Sequence, residues 1–231
     1  MSSTTLMRRE LAVVDQASQH NNCATCAKPL DRFFSGHICT GCMRPQPLSP
    51  SEDYFSALGL KRRFKQDINE IENRFYGISR VLHPDRYGTA NDDKRNLSIQ
   101  RMGFLNDAYR IIKDPALRRE YIISLEGIKV SGDGIPLELA EFWLEIKESN
   151  NEEEFIRFEN ELAFYGKRSR QTIVGLEDEI DSAFERADNK AATDLLKKLA
   201  LKVQEQNYLD SLARDCERVR AIHVYPDPDK K

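Results

Sequence analysis

The stretch from Ile68 to Ile112 constrains this chain more than any other. Apolar residues recur at Ile68, Ile71, Phe75, Ile78 and Leu82, in steps of three and four residues. That is the spacing of a helix with one face in a core. Pro84 then ends the pattern, because it has no N–H and its ring disfavours helical geometry at His83. Beyond it, Leu97, Met102, Leu105, Ala108, Tyr109 and Ile112 trace a second stripe. Two such helices, closely joined, run antiparallel, so the sequence predicts a helical hairpin with His83-Pro84-Asp85 at its joining loop. Asp85 can accept hydrogen bonds from local backbone or from a partner's arginine. The same tripeptide is ordinary turn chemistry, so the flanking stripes decide how it is read.

Composition narrows the function classes. With 231 residues, 40% hydrophobic and 32% charged, the chain suits one large or two small soluble helical domains. No apolar run reaches membrane-spanning length, and the first twenty residues lack a secretory apolar core. Arg8 and Arg9 are accompanied by Glu10 and Asp15, so a cytoplasmic location is expected, with the mitochondrial matrix as alternative. The net charge of −3 is unevenly spread: residues 54–125 carry 14 Lys and Arg against 9 Asp and Glu, residues 131–185 carry 5 against 15. Two protein partners with different surfaces fit that division, as does plain solvation. Neither half has the aromatic-interleaved basic stripe of a nucleic-acid binder.

Four of the five cysteines form two C-x-x-C pairs twelve residues apart, Cys23/Cys26 and Cys39/Cys42. A two-residue gap lets both thiolates of a pair curl onto one ion, and two such knuckles complete a four-thiolate site. Structural Zn2+ is the expected ion, with Gly41 permitting a tight second knuckle. Phe33, Phe34, Ser35, Gly36 and Ile38 could form a hairpin that shields it. Redox dithiols and iron–sulfur ligation use the same residues and stay open as alternatives. His37 is either a substitute ligand or, in the preferred reading, a loop histidine. Cys216, in a helical pattern, is expected to be a small core residue. No internal repeat is read from the sequence.

Further residues around the hairpin carry a family resemblance. They are Asp53-Tyr54-Phe55-Ser56-Ala57-Leu58-Gly59-Leu60, Leu105-Asn106-Asp107-Ala108-Tyr109-Arg110, Asp114-Pro115, Arg118 and Glu120 through Gly127. With His83-Pro84-Asp85 they resemble the HscB-type J-domain co-chaperones of iron–sulfur cluster assembly. The match spans residues 53–127, about a third of the chain. The fold class it implies is all-α: a J-domain hairpin and a C-terminal three-helix bundle, behind a small tetracysteine segment. The expected domains are a tail (1–20), the zinc segment (21–44), a proline-rich linker (45–51), the J domain (52–127) and a scaffold-binding helical domain (135–221). In the last domain a short helix from about Ile135 to Glu148 precedes one with an Asn151/Glu154 capping box and the stripe Phe155, Phe158, Leu162, Tyr165, Leu176, Ile180 and Phe184. Gly166 and Gly175 are expected to bend it. The third helix starts after Asp188 and carries Ala191, Leu195, Leu199, Val203, Leu209, Leu212, Cys216 and Val219.

The resemblance implies two partners and no substrate chemistry. A DnaK/HscA-class chaperone ATPase would dock on His83, Pro84 and Asp85, aided by Arg80 and Arg86. An iron–sulfur cluster scaffold protein would bind Leu137, Ala140, Glu141, Leu144 and Tyr208. Leu137, Leu144 and Trp143 could equally pack the bundle. Some members carry a similar tetracysteine segment, which fits a structural metal at Cys23, Cys26, Cys39 and Cys42. That segment could pack on the J domain, mediate self-association or bind another protein. The outer face of the first hairpin helix, with Glu70, Glu72, Asn73, Tyr76 and Gly77, is less basic than in general J domains, which favours a dedicated chaperone. Two alternatives remain: a general J protein with a different client, and a thiol oxidoreductase, which lacks the βαβ setting of a redox C-x-x-C.

Overall fold

The computed structural model describes residues 22–23, 25–30, 36–88, 92–128 and 137–223, without the side chains of 92, 137 and 138. The expected tail, the shielding hairpin around Phe33 to Ser35 and the break at 131–134 lie outside the described residues. Seven helices are described: α1 (Tyr54–Leu58), α2 (Ile68–Leu82), α3 (Asp92–Lys113), α4 (Pro115–Leu125), α5 (Leu137–Glu148), α6 (Glu152–Glu185) and α7 (Asn189–His223). A 3-10 turn occupies Pro84–Tyr87. Among the described residues there are isolated β-bridges and no strand, so the protein is all-α as expected. The chain divides into two compact units, residues 1–61 with 68–113, and residues 62–67 with 114–231.

In the first unit α1 starts from a reciprocal cap. The Asp53 carboxylate accepts from Ser56 N–H at 2.7 Å, and the Ser56 hydroxyl accepts from Asp53 N–H at 3.0 Å. Gly59 (φ 66°) ends the helix in the left-handed conformation that glycine alone takes without cost. Helix α1 buries Phe55, Ala57 and Leu58. Helix α2 buries Ile71, Ile78 and Leu82 against Leu105, Ala108 and Ile112 of α3. The two run antiparallel: Lys113 Nζ donates to Glu72 at one end (2.8 Å), and the Ser98 hydroxyl donates to the Leu82 carbonyl at the other. Between them Phe75 stacks on Tyr109 with centroids 4.2 Å apart. The expected stripe is corrected at its start, because Ile68 is exposed and the core face begins at Ile71.

The second unit gathers α4 to α7 and the segment 62–67. Asp114 caps α4, accepting from Ala116 and Leu117 N–H at 2.8 and 2.9 Å, with Pro115 where a donor is not needed. The 62–67 segment is held by side chains far along the chain. Asp181 of α6 accepts from Phe64 and Lys65 N–H at 2.7 and 3.0 Å, and Arg118 Nε donates to the Phe64 carbonyl at 2.9 Å.

Helices α5, α6 and α7 enclose a core of Ile146, Phe155, Phe158, Leu162, Leu209, Leu212, Cys216 and Val219. Arg220 of α7 reaches Glu159 and Glu152 of α6, which fixes those two helices antiparallel. Asn151 caps α6 as expected, accepting from Glu153 N–H at 3.0 Å. Glu154 departs from the expected box and takes the Ser149 hydroxyl instead, at 2.6 Å. Three further expectations are corrected. Tyr165 is exposed, and the buried stripe runs through Gly166, Ser169 and Ile173, which are better aligned with Leu162. Helix α6 continues unbroken through Gly166 and Gly175. On α7 the first buried positions are Ala192 and Leu196, one residue on from those expected.

Phe158 is 1% exposed and meets Phe142 edge-on at 5.2 Å. Phe158→Ala is expected to cost about 3–5 kcal/mol, read as a shift of the unfolding midpoint in urea at unchanged helical content.

Candidate functional site

The first site is the tip where α2 gives way to the 3-10 turn. The last carbonyls of a helix have no partner within it, and here side chains of the turn and of α3 supply them. Leu82 C=O accepts from the Ser98 hydroxyl, and Val81 C=O accepts from the Tyr87 hydroxyl at 3.0 Å. Arg86 N–H closes the turn on His83 C=O at 3.1 Å. His83 Nδ1 accepts from Asp85 N–H at 3.4 Å and faces the Asp85 carboxylate at 3.4 Å. With its backbone secured, the tip presents its side chains outward: His83 is 55% and Asp85 87% exposed. Arg80 and Arg86 are exposed on either side of it.

The neighbouring face of α2 is weakly basic for a structural reason. Arg74 lies 3.7 Å from Glu70, and Glu72 is taken up by Lys113 and the Tyr109 hydroxyl. The bond and charge of Lys113 hold the Glu72 carboxyl below the usual carboxylate range. Tyr76 stands half-exposed beside them.

The second site is built by the four cysteines, whose sulfurs all lie within 4.8 Å of one another. Cys23 Sγ is 3.6 Å from Cys42 Sγ, and Cys26 Sγ is 3.6 Å from Cys39 Sγ. A tetrahedron of thiolates with bonds of about 2.3 Å has edges of about 3.8 Å, so the quartet fits one ion. A two-iron cluster would spread its ligand pairs across two metals and bridging sulfides, which this compact quartet does not do. No disulfide joins the cysteines.

The two knuckles repeat one another. Cys23 N–H donates to Lys28 C=O and Ala27 N–H to Cys23 C=O, while Cys39 N–H donates to Arg44 C=O and Met43 N–H to Cys39 C=O. Each is closed by a bridge to a proline, Asn22 to Pro29 and Ile38 to Pro45. Each turns on a left-handed residue, Ala27 (φ 57°) and Met43 (φ 54°). Gly41 leaves the second knuckle tight as expected, since a Cβ there would meet the Lys28 side chain and lie 3.5 Å from Cys39 Sγ. The repeat is present in the sequence as C-x-x-C, a small or flexible apolar residue, a base and a proline, sixteen residues apart, so the expectation of no repeat is corrected. Burial raises the Cys23 thiol, but the Cys26 and Thr25 backbone N–H groups overcome it and bring it down to about 6. Burial dominates at Cys42 and pushes it up to about 11.

The sequence reading missed the residues that seat this centre. His37 is a loop histidine as expected, but it is fully buried, and its ring serves as an anchor. Burial and the adjacent Arg101 charge lower it to about 4, so the ring is neutral. Its Nε2–H donates to Ala57 C=O at 2.7 Å, and Nδ1 accepts from Arg101 at 3.0 Å. Arg101, 3% exposed on α3, also donates to Gln46 C=O, Pro47 C=O and Glu52, each at 2.6 Å. The proline-rich segment is therefore held against α3. A signal existed: Leu97, Arg101 and Leu105 are spaced by fours, which puts a charge on the core stripe.

On α5, Glu141 and Leu144 are exposed, Leu144 by 52%, and Ala140 is half-buried. Leu137 lies in α5 with its side chain outside the described residues. Phe142, Trp143 and, on α7, Tyr208 pack part-buried against the core, and Trp143 Nε1–H points at Asp215 from 3.3 Å. Cys216 is buried in that core, as expected, and burial raises its thiol to about 11. No helix among the described residues is long and apolar enough to cross a membrane.

Several curated proteins are similar to this chain. The iron–sulfur cluster co-chaperone protein HscB of Mus musculus is 30% identical over 169 residues, covering 73% of this chain and 70% of that protein. Its Homo sapiens counterpart is 29% identical over 211 residues, covering 85% and 86%. A co-chaperone protein HscB homolog of Vibrio cholerae is 33% identical over 104 residues, covering 45% and 61%. The crystal structure of human co-chaperone protein HscB matches the fold with a TM-score of 0.54 at 23% identity, over 85% of this chain and 97% of that one. No family model matches the chain.

Metal retention by the four cysteines is expected to depend steeply on pH, because only thiolates ligate. Affinity falls as the pH drops through about 6, where even Cys23 takes a proton. Competition against a chromophoric chelator reads it; undiminished affinity at about pH 4 would rule out thiolate ligation.

Proposed function

The chain belongs to the HscB family of J-domain co-chaperones of iron–sulfur cluster assembly, and on that premise we propose that it activates a DnaK/HscA-class ATPase and delivers a cluster scaffold protein to it. The observation that carries the reading is the tip. His83 and Asp85 project from a turn braced by bonds to the Val81, Leu82 and His83 carbonyls, so docking requires little ordering of the chain. Arg80 and Arg86 beside it would steer the encounter with an acidic chaperone surface.

The scaffold would bind the outward face of α5, through Leu137, Ala140, Glu141 and Leu144, with Tyr208 of α7 at its edge. An exposed leucine among acidic residues supports that choice. The acidic balance of 131–185 would favour a basic client surface. Holding both partners on one chain replaces a diffusional search by a local one. Zn2+ is the ion we assign to Cys23, Cys26, Cys39 and Cys42, in a structural role, since a closed four-thiolate shell leaves no position for substrate. Thiolates kept reduced point to the cytoplasm or the mitochondrial matrix.

His83→Gln is expected to reduce stimulation of the partner ATPase to background with the circular dichroism spectrum unchanged; full stimulation by that variant refutes the mechanism. Leu144→Ala is expected to weaken scaffold binding about tenfold, equivalent to about 1.4 kcal/mol, by calorimetry, with ATPase stimulation in the absence of scaffold unaltered.

A further inference from the structure

The second cysteine knuckle and the hairpin tip are joined by an unbroken run of contacts. Gln46 N–H donates to His37 C=O at 2.9 Å, so residues 37–46 form a loop closed around Cys39 and Cys42. Arg101 grips that loop and its continuation through three of its four acceptors, His37 Nδ1, Gln46 C=O and Pro47 C=O. One turn earlier on α3, Ser98 secures Leu82 C=O, the carbonyl next to His83. A segment as short as 22–46 cannot bury a core of its own, and its folding free energy comes from a bound ion. Without the folded loop, Arg101 would lose three of its four acceptors and keep Glu52. Those contacts fix the turn of α3 that carries Ser98, so their loss frees the turn that holds the tip.

We propose that metal loading and the firmness of the docking tip are coupled through Arg101, acting as a positioning residue. An ion at Cys23, Cys26, Cys39 and Cys42 tightens the hairpin where Ser98 meets Leu82, and its loss loosens that contact. Coupling of this kind is reciprocal, so an intact hairpin also strengthens ion binding. The functional meaning rests on the tip being the chaperone-docking surface; the coupling itself does not. It makes co-chaperone activity follow metal supply.

The test is amide hydrogen exchange on the full chain, loaded with Zn2+ or stripped by a chelator, followed in peptides covering 78–82 and 98–105. Stripping is expected to speed exchange there about tenfold. Arg101→Lys keeps the charge but not the planar fork that serves several acceptors. In that variant the difference between loaded and stripped protein is expected to shrink below about twofold, and Zn2+ affinity to fall about tenfold. His37→Leu, which removes one acceptor, is read in the same way and stands in should Arg101→Lys fail to fold. Unchanged exchange on stripping, or wild-type Zn2+ affinity in both folded variants, overturns the coupling. His83→Gln separates the two readings: it is expected to keep the metal-dependent exchange while losing ATPase stimulation. Stimulation retained there would sink the docking assignment and leave the coupling standing.

Discussion

The buried guanidinium of Arg101 is the fixed point of the first unit. Taking a charge out of water costs several kcal/mol unless its donors are met. Arg101 meets that condition only with groups 49 to 64 residues away in sequence: Glu52, Pro47, Gln46 and His37. His37 passes the linkage to α1 through Ala57. Fixing one side chain therefore fixes the cysteine loop, the proline-rich segment and the start of α1 against α3. An apolar residue at that position would bury as well, but it would not specify which loop lies over it.

What the sequence made legible was governed by neighbours in the chain. The stripes of α2 and α3, the stop at Pro84, the Asn151 cap and the paired cysteines all follow from local spacing. Errors of register arose where small residues carry the buried face. Gly166 and Ser169 have no apolar signature, so the apolar spacing points to Tyr165 instead. Ile68 is apolar and in phase, yet it lies at the end of α2, where no neighbour covers it. Contacts over longer distances left little mark. Nothing in residues 62–67 announces that their amides are held by Asp181, more than a hundred positions later. The centre's ligands were legible; of its anchors, Arg101 shows only through its place on the stripe of Leu97 and Leu105, and His37 through nothing local.

The two units carry different kinds of surface. Around the tip, backbone groups are internally satisfied and the side chains are offered to solvent. On α5 the division runs along the helix: Phe142, Trp143 and Ile146 turn inward, while Glu141, Leu144, Glu145 and Glu148 turn outward. The bulky aromatics hold the helix in place and, among the described side chains, leave Leu144 exposed beside Glu141, Glu145 and Glu148. A fixed apolar side chain within a charged rim is an arrangement that excludes water on contact with a partner.

His37 has one more consequence. Both its ring nitrogens are committed, one to a carbonyl and one to a guanidinium. It has no lone pair left to offer an ion two residues along the chain. Coordination there would be by sulfur alone, and an all-sulfur cage selects soft ions: magnesium and calcium are turned away, ferrous iron binds more weakly than zinc, and cuprous copper is zinc's soft rival. What finally occupies the cage is then decided by which of these the surroundings keep scarce.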